Sequence, residues 1–146
     1  MSDRTVYIRE LASGERIPVS TKPDITPVDL PLVVLVDHNS ASSAEICAGA
    51  IQSAGRATLV GETTFGTGTV LLPFNLADGS SIRLAVERWL TPDGELIFGK
   101  GITPDIEVFL GREDIPLEPD EVSRLAPDAV DQMSDPQLLR AIETLQ

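Results

Sequence analysis

At 146 residues, 42% of them hydrophobic and 23% charged, the chain has the length and composition of a single globular domain with a sizeable core. Its formal net charge of −12 argues against nucleic acid or anionic lipid as the main partner. The charge is uneven: residues 1–112 hold 14 acids and 9 bases, whereas residues 113–146 hold 9 acids and 2 bases. Aromatic residues make up only 4%, so Val, Leu, Ile and Ala must build the core.

In chain order, Thr5–Arg9 and Arg16–Val19 alternate polar and apolar residues around Ala12-Ser13-Gly14-Glu15, which predicts a β-hairpin or edge pair. Ser20–Leu30 is rich in Pro, Asp and Thr and reads as a connecting loop. Leu32–Val36 is continuously apolar and β-branched, the pattern of a strand buried on both faces. A helical pattern follows, with Ile46, Cys47, Ala50, Ile51 and Ala54 on one face and Gly55 suited to its C′ position. Cys47 is the sole cysteine; it forms no internal disulfide, has no basic neighbour in the sequence, and reads as a buried structural thiol.

Ala57–Gly61 is a second buried-strand candidate, and strand–helix–strand order implies a parallel crossover. After the loop Glu62–Gly68, the runs Thr69–Asn75 and Ser80–Trp89 flank Ala77-Asp78-Gly79, a hairpin signal. Thr91-Pro92-Asp93-Gly94 marks a turn, and Gly101-Ile102-Thr103-Pro104-Asp105 leads into a strand Ile106–Leu110. From Arg112 to Ser134 the chain is acidic and contains Pro, a surface excursion with one short helix near Pro119–Leu125. A last helix runs from Pro136 through Leu145, capped by Ser134 or Asp135. The fold class is therefore α/β. The sequence holds no apolar run long enough for a membrane span and no signal-peptide pattern, and no compartment follows from that.

The junction Asn39-Ser40-Ala41-Ser42-Ser43-Ala44-Glu45 puts small hydroxyl residues where a buried strand gives way to a helix N-terminus. Such a position can expose one serine oxygen while aiming unpaired N–H groups and the helix dipole at a reacting carbonyl. The same residues also make a helix cap, because Ser42 and Glu45 have the Ser-x-x-Glu spacing of a capping box. Local pattern leaves both readings open.

Other chemistries are excluded more firmly. Gly61–Gly66 followed by Thr67 imitates a phosphate-binding loop, but the lysine is missing and a strand follows instead of a helix. One histidine and one cysteine rule out the usual zinc clusters, and the acids lack calcium-loop spacing. A Ser42–His38–Asp37 triad fails because adjacent strand residues point to opposite sides; His38 reads as a surface loop residue. A neutral lysine can activate a serine, but Lys22 lies in a polar loop and Lys100 in the turn Gly99-Lys100-Gly101, and neither is a convincing base.

Several segments together resemble the tail-specific, or C-terminal processing, serine protease family. They are Leu32–Asp37, Ser40–Ile46, Ala48-Gly49-Ala50, Gly55-Arg56-Ala57, Val60–Gly66, Thr91–Gly94 and Gly101–Asp105, in that order over roughly residues 31–108. The helix beginning Asp135-Pro136-Gln137-Leu138 is similar to the family's C-terminal helix. The resemblance implies a crotonase-like α/β core, with the 69–90 hairpin extending or capping the parallel sheet, and a Ser/Lys dyad. It places the nucleophile at Ser42 and one oxyanion donor at the N–H of Ser43. The family's lysine base falls at Thr67, within Phe65-Gly66-Thr67-Gly68, and its supporting glutamine falls at Leu71. The chain thus departs from the family at both supporting positions.

The resemblance implies no cofactor and no metal. It implies protein or peptide C-termini as substrates, and the cell envelope or an equivalent lumen as the compartment. Nothing before residue 31 matches the family's peptide-binding PDZ domain or the segment that supplies its second oxyanion donor, so the chain reads as the C-terminal portion of a protease domain. Apolar surface left by a missing upstream half predicts self-association. Two functions stay open: a serine endopeptidase core, inactive as this isolated chain, or a non-catalytic module that binds peptides or assembles with partners.

Overall fold

The computed structural model of the chain describes residues 4–22, 28–124 and 133–145. Two strands, β1 (Thr5–Leu11) and β2 (Arg16–Ser20), pair antiparallel as the alternating pattern predicts. The strand β3 (Val33–Val36), the helix α1 (Ser43–Ser53) and the strand β4 (Thr58–Gly61) form the expected crossover, with β3 and β4 parallel and Val34 opposite Leu59. The hairpin strands β5 (Thr69–Asn75) and β6 (Ser81–Leu90) follow, then a two-residue strand β7 (Ile106–Glu107), parallel to β4. Two helices close the chain, α2 (Pro119–Val122) and α3 (Pro136–Leu145). The strands make two sheets, one in the order β2-β1-β6-β5 and one in the order β3-β4-β7.

The helix α1 contacts β4 of the parallel sheet and β1 of the antiparallel sheet, while α3 contacts β3 and β4. Side chains on a strand alternate between faces, so Leu59 and Val60, both fully buried, face opposite sides of β4. Leu59 joins Val36, Ala48, Ile97 and Ile102 in the core cluster, with Val34, Ile51 and Trp89 packed against it. In α3, Asp135 caps as expected: its Oδ1 accepts the Leu138 N–H at 2.9 Å, and its Oδ2 accepts the Leu117 N–H at 2.9 Å.

Four expectations need correction. The 69–90 hairpin does not extend the parallel sheet; β6 pairs with β1 through Leu11↔Glu87 to Ile8↔Leu90, so the two hairpins form their own sheet. Strand β3 is not buried on both faces: Val36 lies in the core, whereas Leu35, on the opposite face, is 43% exposed. The strand expected over Ile106–Leu110 stops at Glu107. Cys47 is exposed, and α1 instead buries Glu45, Ala48 and Gly49. The inward carboxylate of Glu45 fixes the helix rotation; an ideal Cβ on Gly49 would stand 3.2 Å from Ile102 Cδ1, so only a small residue lets the helix approach there. The central part of the Ser20–Leu30 loop and the later part of the acidic excursion, including Leu125, lie outside the described residues.

Candidate functional site

The turn between β3 and α1 is shaped by Asp37. Its carboxylate accepts the Ser40 Oγ–H at 2.7 Å, the Ser40 N–H at 2.8 Å, the Asn39 N–H at 3.2 Å and the Asn39 Nδ2–H at 3.1 Å. Burial works against ionisation of Asp37, but the bonds from Ser40 and Asn39 outweigh it and hold the carboxyl below its ordinary value of 3.8. His38 plays no part in that network; it faces solvent, with Nδ1 3.3 Å from Glu62 Oε2, so no Ser42–His38–Asp37 triad exists.

Ser42 follows with φ 60° and ψ −117°, the one positive-φ residue other than glycine among the described residues. This conformation is costly for any residue with a Cβ, about 1–3 kcal/mol, and persists only where the surroundings impose it. Ser42 and Glu45 have the mutual placement of a capping box: the Ser42 N–H donates to Glu45 Oε2 at 3.0 Å, but the Ser42 hydroxyl forms no cap hydrogen bond. Helix N–H groups are satisfied otherwise, with the Glu45 N–H donating to the Ser42 carbonyl at 3.1 Å. Ser43 is the first helical residue, where no intrahelical carbonyl can reach its N–H. Ser42 therefore stands at the positive end of the α1 dipole, in capping-box placement with Glu45.

Glu45 is the centre of the arrangement, and the sequence marked it only as a cap. It is fully buried. Its Oε1 accepts the Thr64 Oγ1–H at 2.7 Å and the Gly66 N–H at 2.6 Å; its Oε2 accepts the Thr67 N–H at 2.9 Å besides that of Ser42. A buried carboxylate is tolerated only with such a full set of donors. One oxygen of Glu45 thereby ties the Ser42 turn to the Thr67 loop. The Phe65 N–H adds a second tie, donating to the Ser40 carbonyl at 2.9 Å. The signal was legible in principle: Glu45 shares the i, i+3, i+4 face with Ala48 and Gly49, so a charge stood on the helix's small-residue face.

The Gly101–Asp105 motif braces this loop from behind. The Thr64 Oγ1 accepts the Ile102 N–H at 2.7 Å, and the Gly99 N–H donates to the Gly66 carbonyl at 2.9 Å. Gly66 has φ 85°, and an ideal Cβ there would lie 2.9 Å from the Gly101 nitrogen, so the two backbones can touch only without a side chain. Asp105 anchors the start of β4, its Oδ2 accepting the Leu59 N–H at 2.7 Å.

The site residues named from the sequence thus meet only in part. Ser42, Ser43 and Thr67 come together around Glu45. Leu71 does not join them; it sits half-exposed in β5, opposite Ala85, at a register shift next to Val70. Lys22 is exposed at the end of the first hairpin, and Lys100 is exposed on the turn behind Gly66. Among the described residues no group of three or more His, Cys, Asp or Glu side chains is placed to hold a metal ion, and no helix is long and apolar enough to cross a membrane. The arrangement places the Ser42 turn at the N-terminus of α1 and ties it, through Glu45, to the loop that carries Thr67.

Known proteins share this sequence and fold. The carboxy-terminal processing protease CtpA of Bacillus subtilis (strain 168) is 48% identical over 83 residues, covering 57% of this chain and 18% of that protein. The carboxyl-terminal-processing protease of Synechocystis sp. (strain ATCC 27184 / PCC 6803 / Kazusa) is 51% identical over 77 residues, covering 53% of this chain and 18% of its own length. The chain therefore spans less than a fifth of these curated relatives. Among solved structures, a photosystem II D1 C-terminal processing protease superposes with a TM-score of 0.71 at 32% identity, over 85% of this chain and 32% of that one. A putative peptidase from Parabacteroides merdae ATCC 43184 matches 99% of this chain and 43% of its own, with a TM-score of 0.72 at 20% identity, and shares the fold. The model of Peptidase family S41 matches residues 3–108, and the chain belongs to that family, which includes the C-terminal processing serine proteases.

Proposed function

We propose that the chain is the nucleophile-bearing part of a C-terminal processing serine endopeptidase of crotonase-like fold, acting on protein or peptide C-termini, and that it does not hydrolyse peptide bonds by itself. Ser42 holds the nucleophile position and the Ser43 N–H supplies one oxyanion donor. The observation that carries this reading is the strained turn at Ser42, φ 60°, at the N-terminus of α1. A serine held on a sharp strand-to-helix turn presents its oxygen to a substrate carbonyl, and strain of this kind gathers at working sites.

Attack by the Ser42 oxygen on a carbonyl carbon requires a base to take the hydroxyl proton. Thr67 cannot serve, since its hydroxyl is not readily protonated near neutral pH, and Leu71 has no polar atom to orient an amine. Loss of a general base removes a factor of about 10²–10⁴ in rate. Both replacements favour a second reading, in which the scaffold binds peptides or assembles with partners without cleaving them.

A serine-directed fluorophosphonate probe separates the readings. Covalent labelling that Ser42→Ala abolishes supports a nucleophile; absence of labelling with peptide binding intact supports the binding module. The double variant Thr67→Lys, Leu71→Gln, made in a chain that includes the upstream region of its relatives, should gain cleavage. If it gains none, these two positions do not explain inactivity. Leu32, just before β3, and Leu35, on its outer face, are exposed and favour self-association, and a monomeric mass by light scattering at high concentration would count against it.

A further inference from the structure

We propose that the open edge of β6, residues 81–86, binds an extended acidic peptide with apolar residues at alternate positions. The inference begins with strand lengths. β6 pairs with β5 from Ser81 to Arg88, but with β1 only from Glu87 to Leu90. Along residues 81–86, the side of β6 turned toward the line of β1 has no partner strand among the described residues.

The hairpin register says which backbone groups face that gap. The Leu76 N–H donates to the Ser80 carbonyl at 2.8 Å, and antiparallel ladders alternate bonded and non-bonded pairs. Phe74↔Ile82 and Leu72↔Leu84 are therefore the bonded pairs of β5 and β6. The N–H and C=O groups of Ser81, Arg83 and Ala85 point the other way, into the gap. Past the register shift at Val70/Leu71 the parity reverses, and the Trp89 N–H donates to the Gly68 carbonyl at 2.7 Å. An unpaired strand edge of this kind is a template for one more strand.

Side chains specify the occupant. Paired residues share a face, so Leu72, Phe74, Ile82 and Leu84 form one apolar cross-strand patch, each of them 44–49% exposed. An added strand would lay apolar side chains beside Ile82 and Leu84, and the residue between them beside Arg83. Arg83 is exposed and makes no ion pair among the described residues, whereas Arg9 is paired with Glu87, and Arg16 and Arg88 with Glu10. Charge supports the same choice. Segments 4–22 and 69–90, which make this sheet, hold six bases and four acids, in a chain of net charge −12. At physiological salt, interactions reach about 8 Å, so Arg83 acts on its own neighbourhood and attracts a carboxylate. Where β1 ends, a cleft of about 430 Å³ continues the track; Leu11, Ala12, Ala85, Val86 and Phe98 line it together with Glu10, Glu87 and Arg88, so it suits an apolar side chain of the peptide, and the acidic residue belongs beside Arg83.

The test is fluorescence polarisation with a fluorescein-labelled peptide Ser-Val-Glu-Val-Ser-Val and its Lys-for-Glu counterpart, on the full chain. The acidic peptide should bind at least tenfold more tightly than the basic one. Ala85→Pro removes an N–H that faces the gap and none that serves the β5 ladder, so it should weaken binding at least tenfold while circular dichroism and thermal unfolding stay unchanged. Arg83→Glu, a surface change that keeps the backbone intact, should reverse the preference between the two peptides. Ser42→Ala should leave binding unaltered, which separates this surface from the proposed chemistry of Ser42. Equal affinity for both peptides, or a well-folded Ala85→Pro variant with undiminished binding, overturns the proposal. So does a dimer in sedimentation that Ala85→Pro dissolves and that takes up no peptide, since the edge would then serve a second copy of the chain.

Discussion

Ser42 is held where a glycine would sit without strain, and its neighbours do the holding. Asp37 folds the turn before it, and Glu45 grips its N–H. Ser42→Gly should relieve the strain and raise unfolding free energy by about 1 kcal/mol, less any entropy cost of glycine, as chemical denaturation would read. Glu45→Gln should have the opposite sign. Its NH2 group would oppose either the Gly66 N–H or those of Ser42 and Thr67, at a cost of about 2–4 kcal/mol in the same measurement. Asp37 supplies a pH dependence. Its carboxyl is lowered in the fold, so its contribution is complete above the ordinary value of 3.8 and is lost as pH falls through the lower folded value. The stability gap between the native chain and Asp37→Asn should accordingly be constant from pH 7 to 5 and close in stronger acid, as thermal melts at a series of pH values would show.

Elements are placed by a few polar anchors as much as by apolar faces. Asp135 caps α3 and, through its other oxygen, ties the Leu117 segment to it. Gln137, also buried, donates to the Val108 carbonyl at 2.9 Å and docks the same helix. Removing the cap with Asp135→Ala should cost about 1–2 kcal/mol, and hydrogen exchange should then speed first in α3. The Pro136 start and a cap at Ser134 or Asp135 were legible because capping is local chemistry, read three residues at a time; the Leu138 N–H selects Asp135. The rotation of α1 was not, since the apolar side chains on its two flanks are nearly balanced and a long-range bond from Glu45 to Thr64, Gly66 and Thr67 decides it. Cys47 follows the helix outward for that reason.

At the scale of the whole molecule, two sheets share one core through α1, and the charge is unevenly divided. A net charge of −12 repels itself, so raising NaCl from about 20 mM to about 300 mM should raise the melting temperature by roughly 1–3 °C. A fall in melting temperature would mean that the ion pairs of Arg9 with Glu87 and of Glu10 with Arg16 and Arg88 outweigh the general repulsion. The sequence by itself determined most of the strands and helices, both hairpins, the start of the last helix at Asp135-Pro136 and the family, because each is written in neighbouring residues or in a run of motifs. Tertiary structure alone decided that the two hairpins make a sheet of their own, that Glu45 binds the Ser42 turn to the Thr67 loop, and that β6 outruns β1 and leaves an edge open. Those outcomes depend on pairings between segments tens of residues apart, chosen by which backbone and carboxylate groups remain to be satisfied once the local elements have formed.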